Sequence, residues 1–290
     1  MIGLFLMTEK GLEVINTIIS HQYQQYVTFI CIGKDKAVVK DYSKEIENIC
    51  IANNIQYFFN NDKSTYPKVS NNIAISWRWI LDVENLIVFH DSLLPKYRGF
   101  APLVTALING EKEIGVTALI ATNEYDKGDI ILQKKINITY PIKIEKAIKK
   151  ISYLYGELIL NIFEKLIINK ELDINKQCES KATYSLWLDD KDYFIDWELD
   201  AEKIKRKVDA CGFPYLNAKT MVDNRIISIL DCEIVEDVVV ENRIAGKVIF
   251  SKENKPVIVC GKGLLMIKEA YYNDNSESFI PLKKFRSRLI

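Results

Sequence analysis

The first half of the chain alternates short apolar runs with segments of helical periodicity. The apolar runs that predict strands are residues 2–6, 27–32, 56–59, 73–76 and 86–90. The segments that predict helices between them are residues 10–20 and 43–52. This alternation is typical of βαβ units, whose strands lie parallel and are joined by crossover helices. We therefore predict an α/β, Rossmann-like domain with a mostly parallel sheet.

A second group of elements completes this domain. It comprises a helix at 101–108, strands at 115–121 and 129–138, and an amphipathic helix at 144–168. Residues 170–183 are polar and aperiodic, as in a linker. The predicted division is a catalytic domain over residues 1–172, a linker over 173–190 and a C-terminal domain over 191–290.

The C-terminal region predicts a smaller β-rich domain. After a helix at 201–210, the strand candidates are residues 219–222, 225–235, 246–249, 257–260 and 264–267. Asp223-Asn224 is a two-residue hairpin signal between the first two strands. Five short strands and one helix in this length indicate an OB-like β-barrel.

Charge and length narrow the class of ligand. The 290 residues suggest about two domains, and 39 basic residues balance 39 acidic ones. Residues 191–290 are also near neutral, with 17 basic against 16 acidic residues counted along the sequence. Because a neutral chain has no field that gathers polyanions, its composition favours a small substrate over a nucleic-acid partner.

The remaining composition predicts a cytoplasmic protein. Residues 1–7 are apolar but lack a basic leader, so they do not form a signal peptide, and no apolar run is long enough to span a membrane. No two of the six cysteines have C-x-x-C spacing, so we expect no metal and interpret them as buried apolar residues in a reducing compartment.

Only two histidines are present, and they differ in context. His21 lies in a polar stretch and is assigned to the surface or a helix end. His90 closes an apolar strand and opens a loop at its carboxyl end, where open α/β sheets place their ligands. If the loop at residues 123–129 leaves the same edge of the sheet, Asp126 would meet His90 as a partner in general acid–base chemistry.

Residues 90–129 carry an extended pattern. His90, Ser92, Leu93, Leu94, Pro95, Arg98, Gly99, Pro102, Asp126, Gly128 and Asp129 match the loop and the Asp-x-Gly-Asp of the folate-dependent formyltransferases. Residues 195–197 and 213–218 resemble the start of the OB-like domain of the methionyl-tRNA and sugar formyltransferases. The chain thus resembles this family over most of its length, and weakly over residues 1–70.

The resemblance implies transfer of a formyl group from 10-formyltetrahydrofolate to an amine. His90 would stabilise the oxyanion and Asp126 would carry the proton, with no metal. The residues assigned to the folate are Trp77, Leu94, Arg98, Tyr125 and Asp126. The residues assigned to the acceptor are Ser92, Pro95, Tyr97 and Arg98.

One position departs from the family pattern. The family has asparagine two residues before the histidine, where this chain has Val88, and valine offers no donor to an oxyanion. Three explanations stay open. Another donor replaces the amide, from the loop backbone or from residues 76–79; the enzyme relies on His90 alone; or activity has been lost.

The prediction of the acceptor rests on two features of the methionyl-tRNA formyltransferases that this chain does not show. Methionyl-tRNA formyltransferases resemble this chain but add an inserted loop after the first strand and a basic surface on the barrel. Here the turn at residues 7–11 is compact and the barrel is neutral, which favours a nucleotide-linked amino sugar used in surface-glycan synthesis. Methionyl-tRNA formylation and a non-catalytic folate or nucleotide binding module are the alternatives. Related sugar enzymes are often dimers, so a homodimer is one assembly that the resemblance implies.

Overall fold

The computed structural model describes residues 1–36, 38–60 and 66–290. The chain divides into two compact units. The first comprises residues 1–103, 112–138 and 146–186, and the second comprises residues 104–111, 139–145 and 187–290.

The first unit contains a seven-stranded sheet and a separate two-stranded sheet. Its strands are β1 (Ile2–Leu6), β2 (Val27–Ile32), β3 (Tyr57–Phe59), β4 (Asn71–Ile75), β5 (Leu86–His90), β6 (Arg98–Gly99), β7 (Glu113–Ile120), β8 (Ile130–Asn137) and β9 (Tyr184–Ser185). The helices of this part of the chain are α1 (Thr8–Ser20), α2 (Ser43–Ala52), α3 (Pro102–Asn109) and α4 (Ile144–Ile167). The predicted elements are confirmed with ends within two residues of those observed.

Strand direction changes across the sheet. The order is β3-β2-β1-β4-β5-β7-β8; the first five strands are parallel, whereas β7 runs antiparallel to β5 and β8 antiparallel to β7. A mostly parallel sheet is therefore confirmed. His90 pairs with Thr117 and Ile87 with Ile120, so the carboxyl end of β7 lies beside the amino end of β5.

The two faces of β5 have different surroundings. Phe89 packs on Tyr155 of α4, with ring centroids 5.4 Å apart. Val88 instead packs against a core cluster that includes Phe5 and Ala74. Because side chains alternate along a strand, His90 projects to the same face as Val88.

The second unit contains a five-stranded antiparallel sheet. Its strands are β10 (Ala218–Val222), β11 (Arg225–Val235), β12 (Val248–Lys252), β13 (Lys255–Val259) and β14 (Leu264–Tyr272), in the order β10-β11-β14-β13-β12, and its long helix is α5 (Ala201–Cys211). Asp223 and Asn224 both have left-handed φ angles, of 47° and 63°. This confirms the hairpin, because a type I′ turn needs positive φ at both central residues.

The end of the chain joins the two edges of this sheet. Ile290 exchanges two backbone hydrogen bonds with Met221 of β10, and Leu289 N donates to Gly246 O at 2.7 Å. Val248 N of β12 donates to Ser287 O at 3.2 Å. Residues 287–290 therefore bridge β10 and the start of β12, which gives the barrel-like closure expected of an OB-like domain.

Two further expectations concern single residues and membrane spans. His21 follows α1 and is exposed, as predicted, with Nδ1 2.9 Å from Thr17 O. The interpretation of all six cysteines as buried is wrong at Cys178, which is exposed because it lies in the irregular segment after α4. No helix among the described residues is long and apolar enough to cross a bilayer.

Candidate active site

His90 stands at the carboxyl end of β5 and is 8% exposed. Its Nε2 lies 2.7 Å from the carbonyl oxygen of Tyr97. Because a carbonyl only accepts, Nε2 carries a hydrogen and donates it. This leaves Nδ1 to face the other partner of the ring.

That partner is Asp126. Its Oδ1 lies 3.4 Å from His90 Nδ1, and its Oδ2 accepts a 2.8 Å hydrogen bond from Gly99 N. Since Nε2 already holds a hydrogen, the bare Nδ1 and the Asp126 carboxylate are both acceptors. They form a hydrogen bond when one further proton lies on Nδ1 or on the carboxyl group of Asp126. The structure thus brings together the two residues that the sequence assigned to catalysis.

The route by which Asp126 arrives differs from the expected one. The premise that both loops leave the same edge is wrong, because β7 is antiparallel to β5 and Ala121 N bonds to Leu86 O at the far end. Asp126 nevertheless contacts His90, so residues 121–129 fold back along the sheet. Gly128 permits this return, because a Cβ there would lie 1.7 Å from Ile120 O.

The loop after His90 is fixed by internal hydrogen bonds. Ser92 Oγ donates to Lys96 O at 2.6 Å, and Thr117 Oγ1 bridges Ser92 O and Leu94 N. Ser92 and Leu94 are buried, at 4% and 3% exposure. Both therefore shape the loop, and Pro95 and Tyr97 contribute backbone oxygens, to Thr183 N and to His90.

Arg98 is placed differently from its assignment to folate and acceptor. Its guanidinium is fully buried and donates to Gln177 Oε1 and, through two nitrogens, to Glu179 at 2.9 and 2.7 Å. The hydrogen bonds of this pair raise the pKa of Arg98 and lower that of Glu179. The guanidinium of Arg98 is thus engaged by protein groups and helps to position the loop, and the assignment of Arg98 to folate and acceptor stays a prediction.

Residues 175–185, which lie in the predicted linker, belong to the first unit and bond to its strands. Asn175 and Ile130 exchange two hydrogen bonds of 2.8 Å, and β9 pairs in parallel with β6. Sequence reasoning missed Gln177 and Glu179, because polar residues in an aperiodic stretch resemble a solvated connection. The one available signal was Arg98, which needs a carboxylate partner once it is buried.

Of the two aromatic residues assigned to the folate, Trp77 lies on the core cluster and Tyr125 lies at the surface. Trp77 is half-buried and packs edge-on against Phe5, with ring centroids 5.2 Å apart. Its Nε1 is buried without a hydrogen-bond partner among the described residues. Val88 belongs to the apolar shell of the same cluster. Tyr125 is 69% exposed and contacts Phe100, with ring centroids 6.2 Å apart.

A buried polar network lies next to His90 in sequence. Asp91 forms an ion pair with Lys10 of α1 and accepts a 2.5 Å hydrogen bond from Tyr155 OH. Burial, together with the Asp91 carboxylate, raises the pKa of Tyr155 well above its usual value. The phenol therefore remains a neutral donor that holds Asp91 beneath the loop.

The described residues 1–36, 38–60 and 66–290 contain no group of three His, Cys, Asp or Glu side chains that could hold a metal ion.

Two family models match this chain. Residues 79–160 match the family described as formyl transferase, and residues 188–277 match the formyl transferase C-terminal domain.

Methionyl-tRNA formyltransferases are among the curated relatives of this chain. The methionyl-tRNA formyltransferase of Thermotoga neapolitana is 31% identical over 179 residues, covering 62% of this chain and 56% of the relative. That of Thermodesulfovibrio yellowstonii is 34% identical over 212 residues, covering 71% and 66%. The aligned part of the chain thus spans little more than half the length of the first relative.

Solved structures with the same fold include sugar-modifying enzymes. The sugar 3N-formyl transferase WlaRD, solved with dTDP and 5-N-formyl-THF, is 18% identical with a TM-score of 0.66, covering 94% of this chain and 98% of that one. An N-formyltransferase from Helicobacter canadensis, in complex with folinic acid and dTDP-3-aminofucose, is 16% identical with a TM-score of 0.67, covering 92% and 98%. At these identities the likeness establishes the fold.

Proposed function

Since the chain belongs to the formyltransferase family, we propose that it transfers the formyl group of 10-formyltetrahydrofolate to the amine of a nucleotide-linked amino sugar. The observation that carries the chemistry is the contact between His90 Nδ1 and Asp126 Oδ1 at the carboxyl end of β5. The donor assignment is supported by two structural relatives, which were solved with reduced formyl-folates.

The pair accounts for the proton that the reaction must move. Attack by an uncharged amine forms a C–N bond and turns the formyl oxygen into an oxyanion. Collapse of this intermediate breaks the bond to the folate nitrogen, which gains a proton while the amine loses one. Asp126 accepts the proton of the amine and passes it to the departing nitrogen, and His90, when protonated, stabilises the oxyanion by its charge.

The donor missing at Val88 is supplied, in this proposal, by Trp77. Its indole N–H is buried and has no hydrogen-bond partner among the described residues, and a buried unpaired donor usually has a ligand or water to bind. Trp77 follows β4, the neighbour of β5, and packs on the same cluster as Val88. An N–H at this place would replace the family's amide as a donor to the formyl oxygen.

The sugar acceptor is favoured by the first turn and by charge. β1 ends at Leu6 and α1 begins at Thr8, so a single residue connects them. This leaves no inserted loop of the kind that the resemblance associates with tRNA binding. Residues 191–290 also carry almost no net charge, whereas affinity for a polyanion depends on basic groups that neutralise its phosphates.

Methionyl-tRNA is the second candidate acceptor. One observation favours it, since the curated relatives at 31% and 34% identity are methionyl-tRNA formyltransferases. The two candidates share the donor, the catalytic pair and the proton transfer, so only the acceptor distinguishes them.

The proposed chemistry is tested with 10-formyltetrahydrofolate and a panel of dTDP- and UDP-linked amino sugars, by following the release of tetrahydrofolate. We expect turnover with at least one sugar and a loss of about a hundredfold or more in His90→Ala and in Asp126→Ala. Near wild-type turnover in either variant would refute the assignment. Binding of folate without transfer to any amine, tRNA included, would instead support a non-catalytic module.

A further inference from the structure

We propose that Gln177 is a positioning residue of the reaction, which sets the carboxylate of Asp126 against His90. Its Nε2 donates to Asp126 O at 2.6 Å and to Gly128 O at 2.8 Å. It is the residue through which the segment after α4 holds the two ends of the Asp126 turn. The inference rests on the proposed function for its kinetic consequence, but its structural consequence can be measured without turnover.

The orientation of the Gln177 amide is fixed by chemistry. Its Oε1 accepts from Arg98 Nε at 3.1 Å and from Arg98 Nη2 at 2.8 Å, and a guanidinium can only donate. On its other side are two carbonyl oxygens, which can only accept. All the hydrogen-bonding groups of the amide are thus used, and a flipped amide would lose every one of these bonds.

The Asp126 turn needs this support. Asp126 has a left-handed φ of 56°, which for residues other than glycine is uncommon and persists when the surroundings hold it. Gly99 N holds the side chain and Gln177 holds the backbone carbonyl of the same residue. Together they fix the position of the carboxylate relative to the imidazole.

The segment that carries Gln177 is itself anchored. Asn175 pairs with Ile130 at the start of β8, and Thr183 pairs through its backbone with Arg98 and Pro95. Gln177 lies between these two points. A side chain held in this way can impose a position on the loop that it contacts.

The two functions of the amide are separable by substitution. Gln177→Glu keeps an acceptor for Arg98 but removes both donated bonds to the turn and places a carboxylate oxygen near Asp126 O and Gly128 O. Gln177→Met removes both functions. Glu179→Gln is the matched control, because it also alters a partner of Arg98 but leaves the bonds from Gln177 to the turn intact.

In the kinetic arm we expect Gln177→Glu to lower kcat by about ten- to a hundredfold, because small misplacements of a catalytic group have effects of this size. KM for the folate should stay within about threefold, since no bond to substrate is removed. The Glu179→Gln control should keep both constants within about threefold. If Gln177 only satisfies Arg98, Gln177→Glu will keep its wild-type kcat.

The second experiment measures the imidazole nitrogens of His90 by NMR. With two histidines in the chain, ¹⁵N-labelled imidazoles give two sets of signals, which the variant His21→Ala assigns. We expect Gln177→Glu to shift the His90 nitrogens and leave those of exposed His21 unchanged, and Glu179→Gln to shift neither.

The NMR result decides the inference even if no acceptor is turned over. Unchanged His90 signals in folded Gln177→Glu would overturn it, whatever happens to activity. Thermal unfolding of all three variants confirms that each is folded, and Gln177→Met should show the same change at His90 as Gln177→Glu.

Discussion

At the scale of single residues, both ring nitrogens of His90 are oriented by the protein. Tyr97 O fixes the hydrogen on Nε2, and Asp126 faces Nδ1. The Nδ1 contact, at 3.4 Å, is longer than an ordinary hydrogen bond. Catalytic contacts of this kind often tighten only when substrate is bound, so a distance of 3.4 Å is compatible with the acid–base role that we propose for the pair.

Trp77→Phe tests the proposed replacement for the missing amide. The variant keeps an aromatic ring against Phe5 but loses the buried N–H together with the rest of the pyrrole ring. We expect kcat to fall by about a hundredfold, the usual effect of removing an oxyanion donor, as measured by steady-state kinetics. Trp79→Phe is the control, and kcat equal to wild type in Trp77→Phe would exclude the indole as a donor.

Gly128→Ala tests whether the Asp126 turn depends on close backbone approach. The added Cβ would meet Ile120 O at 1.7 Å, whereas a Cβ at Gly212 would have no atom nearer than 3.7 Å. We expect Gly128→Ala to lower the free energy of unfolding by about 1–3 kcal/mol and to abolish most activity. Gly212→Ala should do neither in the same denaturant titration; equal effects would contradict this account of the turn.

At the scale of elements, much of the first sheet could be predicted from sequence. β1, β2 and β5 have the predicted bounds, because strands buried on both faces form continuous apolar runs. The direction of β7 could not be predicted, since an apolar run is the same in either direction. The sequence therefore predicted the contact between His90 and Asp126 correctly, but from the wrong premise that both loops leave the same edge of the sheet.

The segment after α4 shows that polar composition alone does not distinguish a linker from a packed segment. Its polar residues predicted a linker, but Gln177 and Glu179 both bond to buried Arg98, although the side chain of Glu179 is 64% exposed. A local pattern does not reveal a partner 79 or 81 residues away. The match to the family loop identified Arg98 but not the residues that hold it.

The Arg98–Glu179 pair makes a prediction about acid stability. Hydrogen bonding to Arg98 lowers the pKa of Glu179 in the folded protein. Its stabilising contribution is therefore complete above the ordinary glutamate pKa near 4.5 and is lost as pH falls through the lowered folded value. Because glutamine does not titrate, the stability difference between wild type and Glu179→Gln should shrink below pH 4.5, as measured by denaturant titrations at each pH. A pH-independent difference would contradict the pairing.

At the scale of the whole molecule, the balance of charge bears on the proposed acceptor. A chain with no net charge has no field that gathers a polyanion, which favours a small acceptor in the proposed reaction. The one-residue turn between β1 and α1 adds a second, independent reason. The barrel-like unit was predicted from its strands, but its closure by residues 287–290 was not, since that segment lacks a strand pattern.

The acceptor of the proposed reaction can be identified by a direct competition. The protein is given 10-formyltetrahydrofolate together with a dTDP- or UDP-linked amino sugar and methionyl-tRNA, and both products are identified by mass spectrometry. We expect a formylated sugar nucleotide and no more methionyl-tRNA formylation than the Asp126→Ala control produces. Formylated methionyl-tRNA as the main product, with the amino sugars untouched, would contradict it.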